Sequence, residues 1–394
     1  MDLSYSPDHI DFQRQVREFL RKEWTPAKAG DRQYVRAFRA QATELGYLYR
    51  SVPRRYGGGE QPPDVVKAEI IREAFGAARA PMEVPGNGVA LLTPTLLEWG
   101  TEAQKERFIP ATVRGEYLWA QGYSEPGAGS DLASLRSKAE LVGDEWIING
   151  HKIWTTLAYT STHMFALLRT EPDAPKHAGL SYILLDFKQP GVKVRPIRQI
   201  NGQQEFCEVF LDGVRTPADW LVGERGKGWQ VSRTTLKFER NHVGSSTRTV
   251  GMVKQLIKLA QRTKIDGRPA IEHEDIRQRL AVIEGYVEAQ VWSGYHQLTL
   301  AGKQAPAGVL GLTNKLSTTN TYHRVASLAA DIIGASALLE PKHEGDRGGA
   351  EKWMNQYFGS LGLSIAGGTS NIQRNILAER GLGLPRADQA DREP

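Results

Sequence analysis

A single cysteine, Cys207, in 394 residues excludes an internal disulfide and any cysteine-rich metal centre. It lies in "EFCEVFLDG", which alternates as a strand does, so the thiol is expected to be packed rather than nucleophilic. The opening "MDLSYSPDHIDF" has neither a basic n-region nor an apolar h-region, so no secretory signal is expected. Every apolar run falls well short of the roughly 20 residues of a membrane span. Lys and Arg exceed Asp and Glu by 50 to 45 without any dense basic block. A nucleic-acid surface needs such a local block, so nucleic acid is set aside as a partner. The small positive excess suits an anionic small ligand, and these absences together point to a cytoplasmic protein with no membrane span.

Metal-ligand spacing is missing too. His273 stands between two acids in "IEHEDI" with no second ligand at metal spacing, so a capped helix start is expected there. His343, in "EPKHEGDRGG", is expected in a solvated charged loop.

What is present is a change of period along the chain. A length of 394 residues argues for two or three domains. Ser6 and Pro7 read as an N-cap and first helical residue, followed by Phe12, Val16, Phe19 and Leu20 on one face. "TEAQKERFIPATVRG" reads as a shorter helix closed by proline and glycine. From about residue 119, β-rich runs joined by Gly-Asp and Asn-Gly take over. After "GERGKGW" the helical period returns, with Val250, Val253, Ile257 and Ala260 marking one face, and the polar tail "RADQADREP" is expected to fray. The expected domains are 1–118 helical, 119–226 β and 227–394 helical.

Chemistry concentrates first in "YSEPGAGSDLASL", where Gly127 and Gly129 let backbone N–H groups approach a ligand and Ser124 and Ser130 add hydroxyls. It is a poor Rossmann phosphate loop: it is expected to follow a helix and precede strands, and the third glycine is lacking. Taken alone it is an ordinary polar turn. In company with "WIINGHKIWTT", "DWLVGERGKGW" and "GGTSNIQRNILAERGLGLPR", in that order, it resembles the acyl-CoA dehydrogenase family over nearly the whole chain.

The resemblance implies an α+β multidomain fold: an N-terminal α-helical domain, a central small β-barrel and a C-terminal four-helix bundle. It implies FAD as cofactor, an acyl-CoA as substrate and oxidation to the trans-2-enoyl-CoA. By motif position Tyr123, Ser124 and Ser130 lie along the flavin and its pyrophosphate, or, for Ser130, the CoA pantetheine. Trp154 stands beside the flavin ring and Thr156 at its polar edge. Donors there stabilise the reduced anion.

Many members place the α-proton acceptor immediately before the Gly-Thr of the C-terminal loop. In "SIAGGTSNIQRN" that place is Gly367, which has no side chain to take a proton. Its N–H can still hold the thioester carbonyl, with Gly368 beside the substrate, Thr369 at the flavin and Asn371 near the adenine. Some relatives carry the base on the first helix of the C-terminal domain, just before an arginine. "TTLKFERNHVG" has Glu239 followed by Arg240 there, so Glu239 is the expected base and Arg240 a CoA-side or structural residue.

Two departures from the family pattern concern the part of the FAD site that a neighbouring subunit completes. The arginine expected before "DGRP" aligns with Thr263, leaving Arg262 as its possible replacement. The late glycine-rich turn is "DIIGASALLE", which keeps Gly334 but carries Ala335 and Ala337. The expected partners are an electron-transfer flavoprotein and either a second copy, as homodimer or homotetramer, or a related subunit. Two alternatives stay open: a non-catalytic or site-completing subunit of a heteromer, and a flavin oxidase or monooxygenase. The small Ala366, Gly367 and Gly368 favour a branched, cyclic or bulky acyl chain.

Overall fold

The computed structural model describes residues 5–243, 247–303, 305–338 and 350–385; His343 and the polar tail lie outside the described residues. The chain forms two compact units. One comprises Met1–Ile197 with Glu205–Leu236, the other Arg198–Gln204 with Lys237–Pro394.

The first unit opens with α1 (Pro7–Glu23), capped by the Ser6 side chain on the His9 N–H and burying Val16, Phe19 and Leu20. α2 (Arg32–Glu44) and α3 (Val65–Ala78) complete an aromatic core in which Phe19, Phe38 and Phe75 meet. A π-turn at Gly88–Leu92 leads into α4 (Thr93–Trp99), and α5 (Glu102–Val113) follows behind a Thr101/Gln104 capping box. The proline expected to close α5 does not: Pro110 lies inside it, and the chain turns at Gly115, where φ is +72°. Proline removes one N–H but leaves the rest of the turn intact when packing holds it. Here Ile109, Ala111 and Val113 on either side are buried.

The same unit holds one mixed sheet. Its strands are β1 (Trp119–Gly122), β2 (Lys138–Val142), β3 (Glu145–Thr156), β4 (His163–Arg169), β5 (Leu180–Asp186), β6 (Val192–Pro196), β7 (Phe206–Pro217) and β8 (Leu221–Val222). The order is β6-β7-β3-β2-β4-β5-β8, with β1 parallel to β4. Ala120, Ala139, Trp146, Met164, Ile183, Val209 and the packed Val194 and Leu221 come from all eight strands into one apolar cluster. A sheet whose every strand feeds one core must curl around it. Cys207 is part of that core, and burial pushes its thiol pKa up. Gln104 of α5 fastens helices to sheet, its amide donating to the Asp219 and Leu221 carbonyls at 2.6 and 2.8 Å.

α6 (Gly228–Val243) leads into the second unit, which continues with α7 (Thr247–Arg262), α8 (Glu274–Gly302), α9 (Gly308–Ile333), α10 (Ala350–Ile365) and α11 (Ser370–Ile376). A tight hairpin, β9 (Lys264–Ile265) and β10 (Arg268–Pro269), turns at Asp266 and Gly267 with φ of +52° and +81°. Two positive φ values in succession are what a two-residue hairpin demands. Leu256, Leu259, Ile283, Val325, Leu328 and Trp353 form the bundle core. His273 occupies the N-cap position of α8 but does not cap it; its Nε2 pairs with the Ile265 carbonyl at 3.0 Å. Among the described residues no helix is long and apolar enough to cross a membrane, and no cluster of His, Cys, Asp or Glu could hold a metal ion.

Trp146 is fully buried in the sheet core and its Nε1 donates to the Ala218 carbonyl. Trp146→Ala is expected to lower unfolding stability by about 3–5 kcal/mol, read as a lower denaturant midpoint with little change in slope.

Candidate active site

In the first unit the Gly/Ser-rich loop hangs from the sheet by a buried ion pair. Lys152 on β3 is fully buried, and its three ammonium hydrogens find the Glu125 carboxylate at 2.8 Å, the Leu167 carbonyl at 2.8 Å and the Tyr123 carbonyl at 3.2 Å. The Glu125 carboxylate also accepts from the Arg136 and Ser137 N–H groups at 2.6 and 2.9 Å. Burial works against a charged Glu125, but Lys152 and these donors outweigh it and leave its pKa lowered. Burial likewise lowers the Lys152 pKa, with Glu125 opposing. The pair stays ionic because neither charge is left without partners.

This anchoring sets where the expected ligand-facing residues stand. The loop follows β1, not a helix as its sequence context suggested, and the Ile153 N–H donates to the Ser124 carbonyl at 2.9 Å, tying the loop to β3. A four-residue strand shows too little alternation to be read from sequence. The Tyr123 ring is buried edge-on to Phe165 and Tyr182. Ser130 is exposed. At Gly127 and Gly129 an added Cβ would meet nothing within 4 Å, and neither has a positive φ, so the chain's own packing does not demand glycine there.

β3 then breaks register between Lys152 and Thr155. At this bulge Trp154 takes φ +61° and leaves its indole 56% exposed, edge-on to Phe206. A bulky residue held in that backbone region and presented to solvent marks a re-aimed side chain. Thr156 is exposed next to it and lines a cavity of about 230 Å³ with Asn87, Thr160 and Ser161.

In the second unit Gly367 and Gly368 carry φ of +64° and +93° at the end of α10. Their carbonyls are held: Gln373 donates to Gly367 at 3.1 Å, and Lys315 of α9 donates to Gly368 at 2.8 Å and to Ser364 at 3.1 Å. Among the described residues the Gly367 N–H has no acceptor. Thr369 caps α11 through its hydroxyl, and Asn371 is exposed and accepts from Arg374. Glu239 is half-buried on α6; burial lowers the Lys315 pKa, with the Glu239 charge opposing. The Arg240 side chain lies outside the described residues. Arg262 is the exposed last residue of α7. Gly334 ends α9 at φ +56°, nineteen residues and so roughly 28 Å along that helix from Lys315, and an added Cβ there would meet nothing.

Glu125, Lys152 and Lys315 are functional neighbours that reading the motifs did not single out. The spacing of a lysine or glutamate carries no mark of burial, so the sequence held no signal for them.

Lys152→Met would strand the buried Glu125 charge and is expected to cost about 3–5 kcal/mol of stability, whereas Glu125→Leu together with Lys152→Met recovers most of it. Denaturant unfolding of the two variants makes the comparison.

Three family profiles match in sequence: "Acyl-CoA dehydrogenase, N-terminal domain" over residues 6–116, the middle domain over 120–214 and the C-terminal domain over 226–382. Among curated proteins, acyl-CoA dehydrogenase IpdE1 of Mycobacterium tuberculosis is 40% identical over 353 residues, covering 89% of this chain and 88% of its own. Among solved structures, a chain of the ChsE4-ChsE5 complex from Mycobacterium tuberculosis is similar with TM-score 0.78 and 29% identity, covering 98% of this chain and 100% of that one. The Tcur3481-Tcur3483 steroid ACAD is similar with TM-score 0.79 and 27% identity, covering 98% and 100%.

Proposed function

The chain belongs to the acyl-CoA dehydrogenase family, and from that premise we propose how its own residues divide the work. It is an FAD-dependent oxidoreductase acting on acyl-CoA thioesters. In our reading Glu239 takes the α-proton and the Gly367 N–H holds the thioester carbonyl. The observation that carries this is the held loop: the Lys315 ammonium bonds the Ser364 and Gly368 carbonyls on either side of Gly367, whose N–H has no acceptor among the described residues.

Holding the carbonyl oxygen through an N–H stabilises the negative charge that develops as the α-proton leaves, a contribution of about 3 kcal/mol for one such donor. A base on α6 fits a loop whose usual base position is glycine, since one acceptor suffices and a second carboxylate would repel it. Two features support the FAD assignment: the open glycines 127 and 129, which let a phosphate approach the backbone, and the presented Trp154 indole, an aromatic wall for a flat ring. Bound FAD supplies the acceptor for the hydride that leaves the β-carbon. Tyr123, Ser124, Ser130, Thr156, Thr369 and Asn371 are the proposed cofactor contacts, with Arg262 and Gly334 serving the neighbouring subunit's site. Ser130, Arg240 and Gly368 are the proposed contacts on the substrate side.

The proposed acyl group is bulky and cyclic, of steroid type. Ala366, Gly367 and Gly368 supply little side-chain volume at the loop, and a similar solved structure is titled a steroid ACAD. The proposed external acceptor is an electron-transfer flavoprotein, and the proposed compartment is the cytoplasm. A second reading, in which a related subunit completes the FAD site, is favoured by Ala335 and Ala337 in the late turn and by the two-component names of the similar ChsE4-ChsE5 and Tcur3481-Tcur3483 proteins. The homo-oligomer remains our first choice because the proposed base is present in this chain.

Glu239→Gln is expected to lower the rate of substrate oxidation by about 10²–10⁴ while flavin content is kept. Stopped-flow reduction with cyclic acyl-CoAs measures it, and a variant reducing at the native rate contradicts the assignment.

A further inference from the structure

The cavity beside Thr156 is walled on one side by residues Val84 to Val89, which join α3 to α4. That segment is fixed at both ends. At its start the buried Tyr49 holds two successive residues. Its N–H donates to the Glu83 carboxylate at 2.7 Å, and its hydroxyl accepts from the Val84 N–H at 2.8 Å while donating to the Val113 carbonyl at 3.0 Å. Arg39 adds a bond to the Met82 carbonyl at 2.7 Å. At the far end Gly88 lies so close to Trp119 and Thr112 that a Cβ there would meet their side chains at 2.6 and 2.8 Å. The Thr93 hydroxyl donates to the Gly88 carbonyl at 3.0 Å. Only Pro85, Gly86 and Asn87 span the two fixed points, and proline locks its own φ. Asn87 is thereby presented in a set place.

Val84, Pro85, Val89, Leu118 and Leu157 make much of the cavity wall apolar. The wall hydroxyls of Thr112, Thr160 and Ser161 are spent on the Phe108 and Leu157 carbonyls. The side chains of Asn87, Tyr117 and Thr156 make no hydrogen bond among the described residues. Thr156 is already read as a flavin contact, and the Tyr117 ring lies against His163 with 4.1 Å between centroids. The Asn87 amide, which can both donate and accept, is the polar group open to a further ligand. A volume of about 230 Å³ exceeds the roughly 150 Å³ that holds a benzene molecule, so one ring and a substituent fit. An apolar pocket with one placed polar group suits a mostly apolar ligand that carries one polar atom.

We propose that Asn87 is a specificity-determining residue whose amide hydrogen-bonds a keto or hydroxyl oxygen on a ring of the acyl group seated in this cavity. This rests on the readings of Thr156 as a flavin contact and of the acyl group as cyclic, and adds the oxygen that the ring carries. A fixed hydrogen-bonding group discriminates against an analogue lacking its counterpart, because the amide then loses water without gaining a partner.

The test compares cyclohexanecarbonyl-CoA with its 4-oxo and 4-hydroxy derivatives on the FAD-loaded native protein, Asn87→Leu and Tyr117→Phe. Anaerobic bleaching of the flavin gives kcat/KM, and unfolding temperature checks the fold, with Asn87→Ala in reserve should Asn87→Leu not fold. The native protein is expected to prefer an oxygen-bearing ring by about tenfold or more. Asn87→Leu is expected to bring that compound and the plain ring within about threefold of each other, and Tyr117→Phe to keep the native preference. A preference that survives in Asn87→Leu overturns the proposal, as does one lost only in Tyr117→Phe. If the native protein oxidises the plain ring and favours neither derivative, the proposal fails while the cyclic reading stands. If butyryl-CoA bleaches the flavin and no cyclic compound does, the cyclic reading fails and the proposal with it. A colourless protein moves the same comparison to calorimetric binding of the thioesters, where equal affinities or no binding overturn the proposal.

Discussion

An ammonium removed from water is tolerable only when every one of its hydrogens has an acceptor and its charge has a counterpart. Lys152 meets that demand with the Glu125 carboxylate and the carbonyls of Tyr123 and Leu167. Those acceptors come from two segments: the Gly/Ser loop supplies two, and β4 the third. Satisfying one buried charge therefore fixes the loop on the sheet. The same fixed frame determines where the bulge of β3 turns Trp154 outward, two residues beyond Lys152. The surface proposed to face the cofactor in the first unit follows from that constraint.

The second unit also holds a loop with a buried lysine, here through two backbone carbonyls. Lys315 replaces a folded side-chain scaffold for the C-terminal loop, since the two glycines there have no side chains with which to anchor themselves. Their left-handed backbone is available to glycine at little cost, and among the described residues nothing accepts from the Gly367 N–H. A donor preorganised in this way needs no rearrangement when charge develops on a bound carbonyl, which is the condition under which such donors contribute most.

The α–β–α order was legible because helical and strand periods differ and the change falls near turn residues. The helix start at Ser6 and the apolar face of α7 were legible for the same reason. Pro110 was misread as a stop because tertiary burial of its neighbours overrides the local penalty. His273 sits at the expected helix start but bonds a hairpin carbonyl that only the fold brings to it. Residues carried by the motifs, such as Gly127, Trp154 and Gly367, could be named from sequence. Lys152 and Lys315 could not, since a lysine's composition and spacing carry no mark of burial, and burial gives these two their roles.

Family membership makes this an FAD-dependent oxidoreductase of acyl-CoA thioesters, and the proposal adds that FAD is bound by its own chain. The most direct measurement is a visible spectrum of the chain purified alone, followed by anaerobic addition of straight, branched, cyclic and steroid acyl-CoAs. The expected result is a yellow protein whose flavin band bleaches with a bulky acyl-CoA and recovers with an external acceptor. A colourless protein, or a yellow one that no acyl-CoA bleaches, would contradict a self-sufficient enzyme and leave the site-completing subunit as the better description.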